Sequence, residues 1–129
     1  MAWALLQGSG SVPIRTIDKG QDSAIDSARQ VTVDGPEEWA KLWREHAPNR
    51  PMPQVDFLRD IVVGVFLGTR PTAGFGVEIT AGRKEGAGLV VQYRENRPPP
   101  GAIAAQVLTA PYHLVVVPKH SEVRFESIK

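Results

Sequence analysis

The chain has 129 residues, a formal net charge of +1, 42% apolar and 22% charged residues, and no cysteine. That size suits one domain with one core, and the apolar share sets it apart from disordered chains. Interspersed charge argues against a nucleic-acid partner, and the lack of cysteine excludes disulfides, a thiolate nucleophile and zinc-thiolate sites.

No apolar run approaches the roughly 18 residues of a membrane span; the longest covers residues 61–67 and contains Gly64. The first residues, Met-Ala-Trp-Ala-Leu-Leu, lack a basic segment and are too short for a secretory apolar region. As read, the chain is expected in the cytoplasm, or outside it if Met1 marks a trimmed start.

Twelve glycines and eleven prolines fall between apolar runs, the spacing of short strands joined by turns. Weak alternation at 12–17 and 29–33 predicts edge strands, with 20–23 as a turn. At 34–46 the period changes. Pro36 suits a first helical turn, Glu37 and Glu38 complement its dipole, and Trp39, Leu42, Trp43 and His46 share one apolar face. A helix is predicted over Pro36–His46, ended by Ala47-Pro48. Its tryptophans read as anchors on a sheet, with a ligand-stacking surface as the alternative. His46 reads as a C-terminal residue favoured by the dipole.

Residues 61–67 read as a central strand buried on both faces. Segments 74–81 and 89–93 form an expected hairpin around a turn at 82–88, and 106–109, 113–117 and 123–125 complete the strands. No helices alternate with them, so a parallel βαβ fold is not expected. The predicted class is mainly β: an antiparallel sandwich or partly open barrel, as one domain over 1–129, with the helix closing one end.

Catalytic motifs are missing. There is no nucleophile elbow, no HExxH and no phosphate loop, and no serine has a basic partner nearby in sequence. No cofactor or metal is expected. A rival reading assembles a metal- or small-ligand-binding site or enzyme from His113, His120 and Asp56. The more unusual feature is the loop Arg70-Pro71-Thr72-Ala73-Gly74-Phe75. Pro71 fixes φ, Gly74 frees it, and Thr72 can bond within its own turn. Such a loop serves either as a rigid recognition element presenting Arg70 and Phe75 or as a turn in which Phe75 plugs the core. Residues 94–101, with three consecutive prolines, read as an extended connector or part of the same surface.

Several motifs occur together: Glu38-Trp39, Leu42-Trp43 and His46; Val55-Asp56-Phe57; Val62-Val63; and Leu67-Gly-Thr-Arg-Pro-Thr-Ala-Gly-Phe75 before Val77-Glu-Ile79. Pro99-Pro100-Gly101, Leu108-Thr-Ala-Pro-Tyr-His113 and Val116-Val-Pro-Lys119 follow. In this order, from about residue 30 onward, the chain resembles the PrcB family of protease-complex subunits. Members are often described as secreted or lipid-anchored partners of a protease. Their loop usually reads Arg-Pro-Thr-Gly-Gly-Tyr, from which Ala73 and Phe75 depart. The same loop is more faintly similar to the Asn-Pro-Thr-Thr-Gly-Tyr loop of chagasin-type cysteine-protease inhibitors. Arg97-Pro98 resembles the start of their Arg-Pro-aromatic loop, with Pro99 in place of the aromatic. The resemblance implies a non-catalytic protein-binding domain that associates with or modulates a protease through residues 70–75. Self-association through sheet edges is a further reading.

Overall fold

The structure is a computed structural model, and it describes residues 10–129. The expectation drawn from Met1 to Leu6 lies outside the described residues. The strands are β1 (Ser11–Val12), β2 (Arg15–Gly20), β3 (Arg29–Val33), β4 (Asp60–Phe66), β5 (Gly76–Glu85), β6 (Gly88–Asn96), β7 (Tyr112–Pro118) and β8 (Glu122–Ile128), with helix α1 (Pro36–His46) between β3 and β4. They form two four-stranded sheets, ordered β1-β5-β6-β8 and β2-β7-β4-β3. The arrangement is sandwich-like and mainly β, and the described strands form no closed barrel.

Strands β4 and β7 explain the layers. Both are buried along almost their whole length, because each lies inside its sheet and has packed material on both faces. Side chains alternate across the pleat. Ile61, Val63, Val65, Val115 and Val117 face the other sheet, where Val77, Ile79, Leu89 and Val91 meet them. Val62, Phe66, Leu114 and Val116 point the opposite way, onto Trp39, Leu42 and Trp43 of α1. The helix therefore covers the outer face of the second sheet, not one end of the sandwich as expected. A strand with two apolar faces requires a cover on each, and the helix is the second cover.

Helix α1 has the predicted limits, with Pro36 in its first turn and Glu37 and Glu38 at its positive end. Trp39 and Trp43 are 1% and 4% exposed, which settles the choice in favour of core anchors. Each indole N–H donates to a loop carbonyl, Trp39 to Pro53 at 2.9 Å and Trp43 to Arg50 at 2.8 Å, so burial orphans neither donor.

Four strand expectations need correction. The segment 12–17 is divided at Pro13 and Ile14 between β1 and β2, which belong to different sheets; proline cannot donate to a ladder. The expected turn at 82–88 shrinks to Gly86 and Ala87, with Gly86 at φ +61° and Glu85 paired to Gly88. Residues 106–109 form no strand; Thr109 makes one isolated bridge to Arg70. Finally, the pairing is not wholly antiparallel, because β8 lies parallel to β6.

Candidate functional site

The loop 70–75 links β4 to β5 across the two sheets, and it is held from several sides. Arg70 and Thr109 exchange backbone hydrogen bonds, Arg70 N–H to Thr109 O at 2.7 Å and Thr109 N–H to Arg70 O at 2.9 Å. The Thr109 hydroxyl donates to Thr72 O at 2.9 Å, and Ala73 N–H donates to Ala105 O at 3.1 Å. Within the loop, Gly74 N–H donates to Thr72 Oγ1 at 3.3 Å, the local bond expected of that threonine. Gln21 Nε2 donates to the carbonyls of Ala73 and Phe75. Gly74 sits against Pro98, so the proline-rich segment buttresses the loop directly.

Arg70 and Phe75 are both half-buried, and they contact each other. The guanidinium lies 5.7 Å from the Phe75 ring centre and 3.5 Å from Glu95. Glu95 is shared, since Arg97 also reaches it at 3.2 Å. Two guanidinium groups on one carboxylate leave a local excess of positive charge. Pro71 is exposed at the tip.

Beside this loop runs the segment 102–108, which carries the exposed apolar side chains Ile103 (102% exposed), Leu108 (77%) and Val107 (52%). The Ala73–Ala105 and Arg70–Thr109 bonds hold the two segments side by side. Together they form one surface: a braced turn with a cation, and an apolar strip with Ile103 fully in water. The second half of that strip, expected as a strand over 106–109, is instead an exposed segment without a sheet partner among the described residues.

The rival constellation does not assemble. His113 is buried: its Nδ1 accepts the Ile79 N–H at 2.8 Å, so its Nε2–H donates to Thr16 Oγ1 at 2.7 Å. Burial, with nearby Lys19 adding to it and Glu78 opposing, lowers its pKa to about 4. His120 donates from Nδ1 to its near neighbour Pro118 O, and Asp56 accepts the Leu58 N–H in a turn. Among the described residues no group of three or more His, Asp or Glu side chains is placed to hold a metal ion.

A polar cluster not anticipated from sequence lies at the end of α1. His46 is 1% exposed, with Nε2 donating to Asp18 Oδ2 at 2.8 Å and Nδ1 2.7 Å from Ser23 Oγ. Arg50 and the Tyr112 hydroxyl also donate to Asp18, at 2.7 Å and 3.0 Å. Burial raises the Asp18 pKa, but the hydrogen bonds from Arg50, His46 and Tyr112 outweigh it and hold the carboxyl below its ordinary range. Burial and the bond to that carboxylate push the Tyr112 hydroxyl up to about 12.

The connectivity is serine–histidine–aspartate, but the ring nitrogens are exchanged relative to a serine hydrolase, where serine meets Nε2. The Ser23 hydroxyl already receives the Ile25 N–H at 3.0 Å. What the cluster visibly does is join the helix end to β2, β7 and the 21–25 turn. His46 on an apolar helical face was the available signal, because an ionisable group buried there needs partners.

Over the described residues the fold is thus a two-sheet β sandwich with one covering helix and a braced β4–β5 loop. Residues 61–118, from β4 through β7, match the PrcB C-terminal family model, which supports a PrcB-like domain. The matched stretch contains the loop 70–75 and the strip 102–108, while α1 and β3 precede it. No curated protein and no solved structure matches the chain.

Proposed function

We propose that this is a non-catalytic protein-binding domain, a subunit that associates with a protease and engages it through Arg70, Pro71, Thr72, Ala73, Gly74 and Phe75. The observation that carries the reading is the exposure of Ile103, Val107 and Leu108 on a segment hydrogen-bonded to that loop. Exposed apolar side chains gathered beside a cation suit a protein interface, in which an apolar centre is rimmed by polar groups. The bracing of the loop supports it too, since an ordered turn loses little entropy on binding. The PrcB match over the same stretch favours a protease-complex role.

The test is affinity capture from native extract, using the wild type and the double variant Arg70→Ala/Thr72→Ala, with captured proteins identified by mass spectrometry. A protease or protease-complex subunit is expected with the wild type. The double variant should bind it at least tenfold more weakly, about 1.4 kcal/mol, with the melting temperature nearly unchanged. Unchanged capture combined with a collapsed melting temperature would make the loop a structural turn only.

A further inference from the structure

Among the described residues, two sheets of four strands have four edges, and three of them are guarded. β1 has two residues followed by Pro13. β2 carries a register shift between Thr16 and Asp18, and its Lys19 pairs with Glu78. β8 presents Glu122, Arg124 and Glu126 in alternation, with Arg124 paired to Glu85 and Glu126. Bulges, prolines and charges of this kind block edge-to-edge pairing. β3 has neither a bulge nor a proline, and its one charged residue, Arg29, stands at its first position, paired to Glu45. It is regular, pairs with β4 over all five residues without a shift, and among the described residues no strand pairs with its other edge.

That edge is flanked on both faces. Arg29, Val31 and Val33 lie on the helix side, where a groove of about 360 Å³ is lined by Glu38, Lys41, Leu42 and Glu45. Gln30 and Thr32 lie on the other side, and Gln30 Nε2 donates to Tyr93 OH at 3.0 Å. There a cleft of about 370 Å³ opens between the sheets, lined by Val65, Leu67, Tyr93, Glu95 and Arg70. An added strand sends alternate side chains to opposite faces. Along β3 both faces have a receptacle.

We propose that the β3 edge accepts an extended peptide segment from a protein partner, added antiparallel as a fifth strand and ending in a carboxylate beside Arg70. The charge distribution fixes the direction. Arg70 adjoins the beginning of β3, and Glu95 must serve both Arg70 and Arg97. An antiparallel strand brings its C-terminal end to that point, where a carboxylate meets the surplus cation; a parallel strand would bring an ammonium group there. Main-chain bonds to β3 supply affinity and the two grooves supply selectivity. The inference goes beyond the loop reading and shares only Arg70 with it.

The probe is the peptide Thr-Val-Thr-Val-Thr-Val with a free C-terminus, titrated into the isotope-labelled chain and followed by backbone amide shifts. Saturable shifts centred on Arg29–Val33 are expected, with an apparent Kd of about 1 mM or tighter. C-terminal amidation should weaken binding several-fold, and Arg70→Gln should abolish that difference. Thr32→Lys, an edge guard on an exposed residue, should weaken binding at least tenfold while leaving the remaining spectrum intact. Shifts elsewhere, no saturable shifts, or equal binding of acid and amide would overturn the proposal. So would sedimentation showing a dimer that Thr32→Lys dissolves, because a second copy would then occupy the edge. Thr32→Lys leaves the loop untouched, and the single change Thr72→Ala, unlike the double variant, leaves both the edge and Arg70 untouched, so capture and peptide titration of these two single variants show the failure of either surface separately.

Discussion

Gly74 and Pro98 are in such close contact that a Cβ on the glycine would lie 2.7 Å from the proline Cβ and 2.9 Å from its Cγ. Two segments more than twenty residues apart thereby set each other's position, and no larger residue fits at 74 without moving the proline-rich segment. Gly74→Ala should destabilise by about 1–3 kcal/mol, the usual cost of overpacking. Pro98→Gly removes the obstructing ring. A double-mutant cycle by chemical denaturation should give a coupling of at least about 0.5 kcal/mol, with the second change relieving the first. Additive effects would show that the contact does not position the loop.

Trp43→Ala should cost about 3–5 kcal/mol, as large aromatic truncations in cores do. Trp43 packs on Trp39 and His46, and its indole bonds the Arg50 carbonyl. Urea denaturation gives the value. A loss below about 1 kcal/mol would contradict its anchoring role.

Asp18 collects donors from His46, Arg50 and Tyr112, two of which are buried. Asp18→Ala should destabilise by about 2–4 kcal/mol, because it strands buried donors. Arg50→Ala should cost less, since the Arg50 side chain is 46% exposed and His46 and Tyr112 keep their acceptor. Equal losses for the two variants would mean that the Arg50 pair dominates the cluster.

Stability should fall on acidification in two stages. His113 has its pKa lowered from 6.5 to about 4 in the folded state. The unfolded chain therefore binds the extra proton first, and the contribution is complete above pH 6.5 and lost as pH falls from there toward 4. Its size is on the order of 3 kcal/mol. Asp18, also lowered on folding, adds a further loss below its ordinary value of 3.8. Denaturation midpoints from pH 7 to pH 3 should decline for the wild type, whereas for His113→Gln they should stay flatter down to about pH 4 and fall only below it.

Local patterns carried much of this architecture. The spacing of Trp39, Leu42, Trp43 and His46 marks one face of a helix wherever the helix packs, and the apolar run at 61–67 marks a strand covered twice. The placement of that helix on a sheet face depends on which strands lie beneath it, and no window of sequence contains both. The Asp18 cluster spans β2, α1 and β7, so only the folded chain brings it together. At 106–109 the apolar residues predict a strand, yet the segment meets the β4–β5 loop only through Thr109, by one backbone bridge and a hydroxyl bond, and has no sheet neighbour. Of the candidate site, Arg70, Thr72 and Gly74 stood out through turn chemistry. The neighbouring apolar strip and the open β3 edge did not, because exposure is a tertiary property.

The parallel β6–β8 pair bears on the order of folding. Between these strands the chain crosses to the other sheet and lays β7 between β2 and β4. β8 can reach its place only after that crossing, whereas β5 and β6 close through a two-residue turn. The hairpin is local and the β8 docking is not, so ring closure for the latter is slower. Substitutions at the β8 residues Val123 and Phe125 should then accelerate unfolding while leaving the refolding rate nearly untouched, placing the last strand on the native side of the rate-limiting barrier.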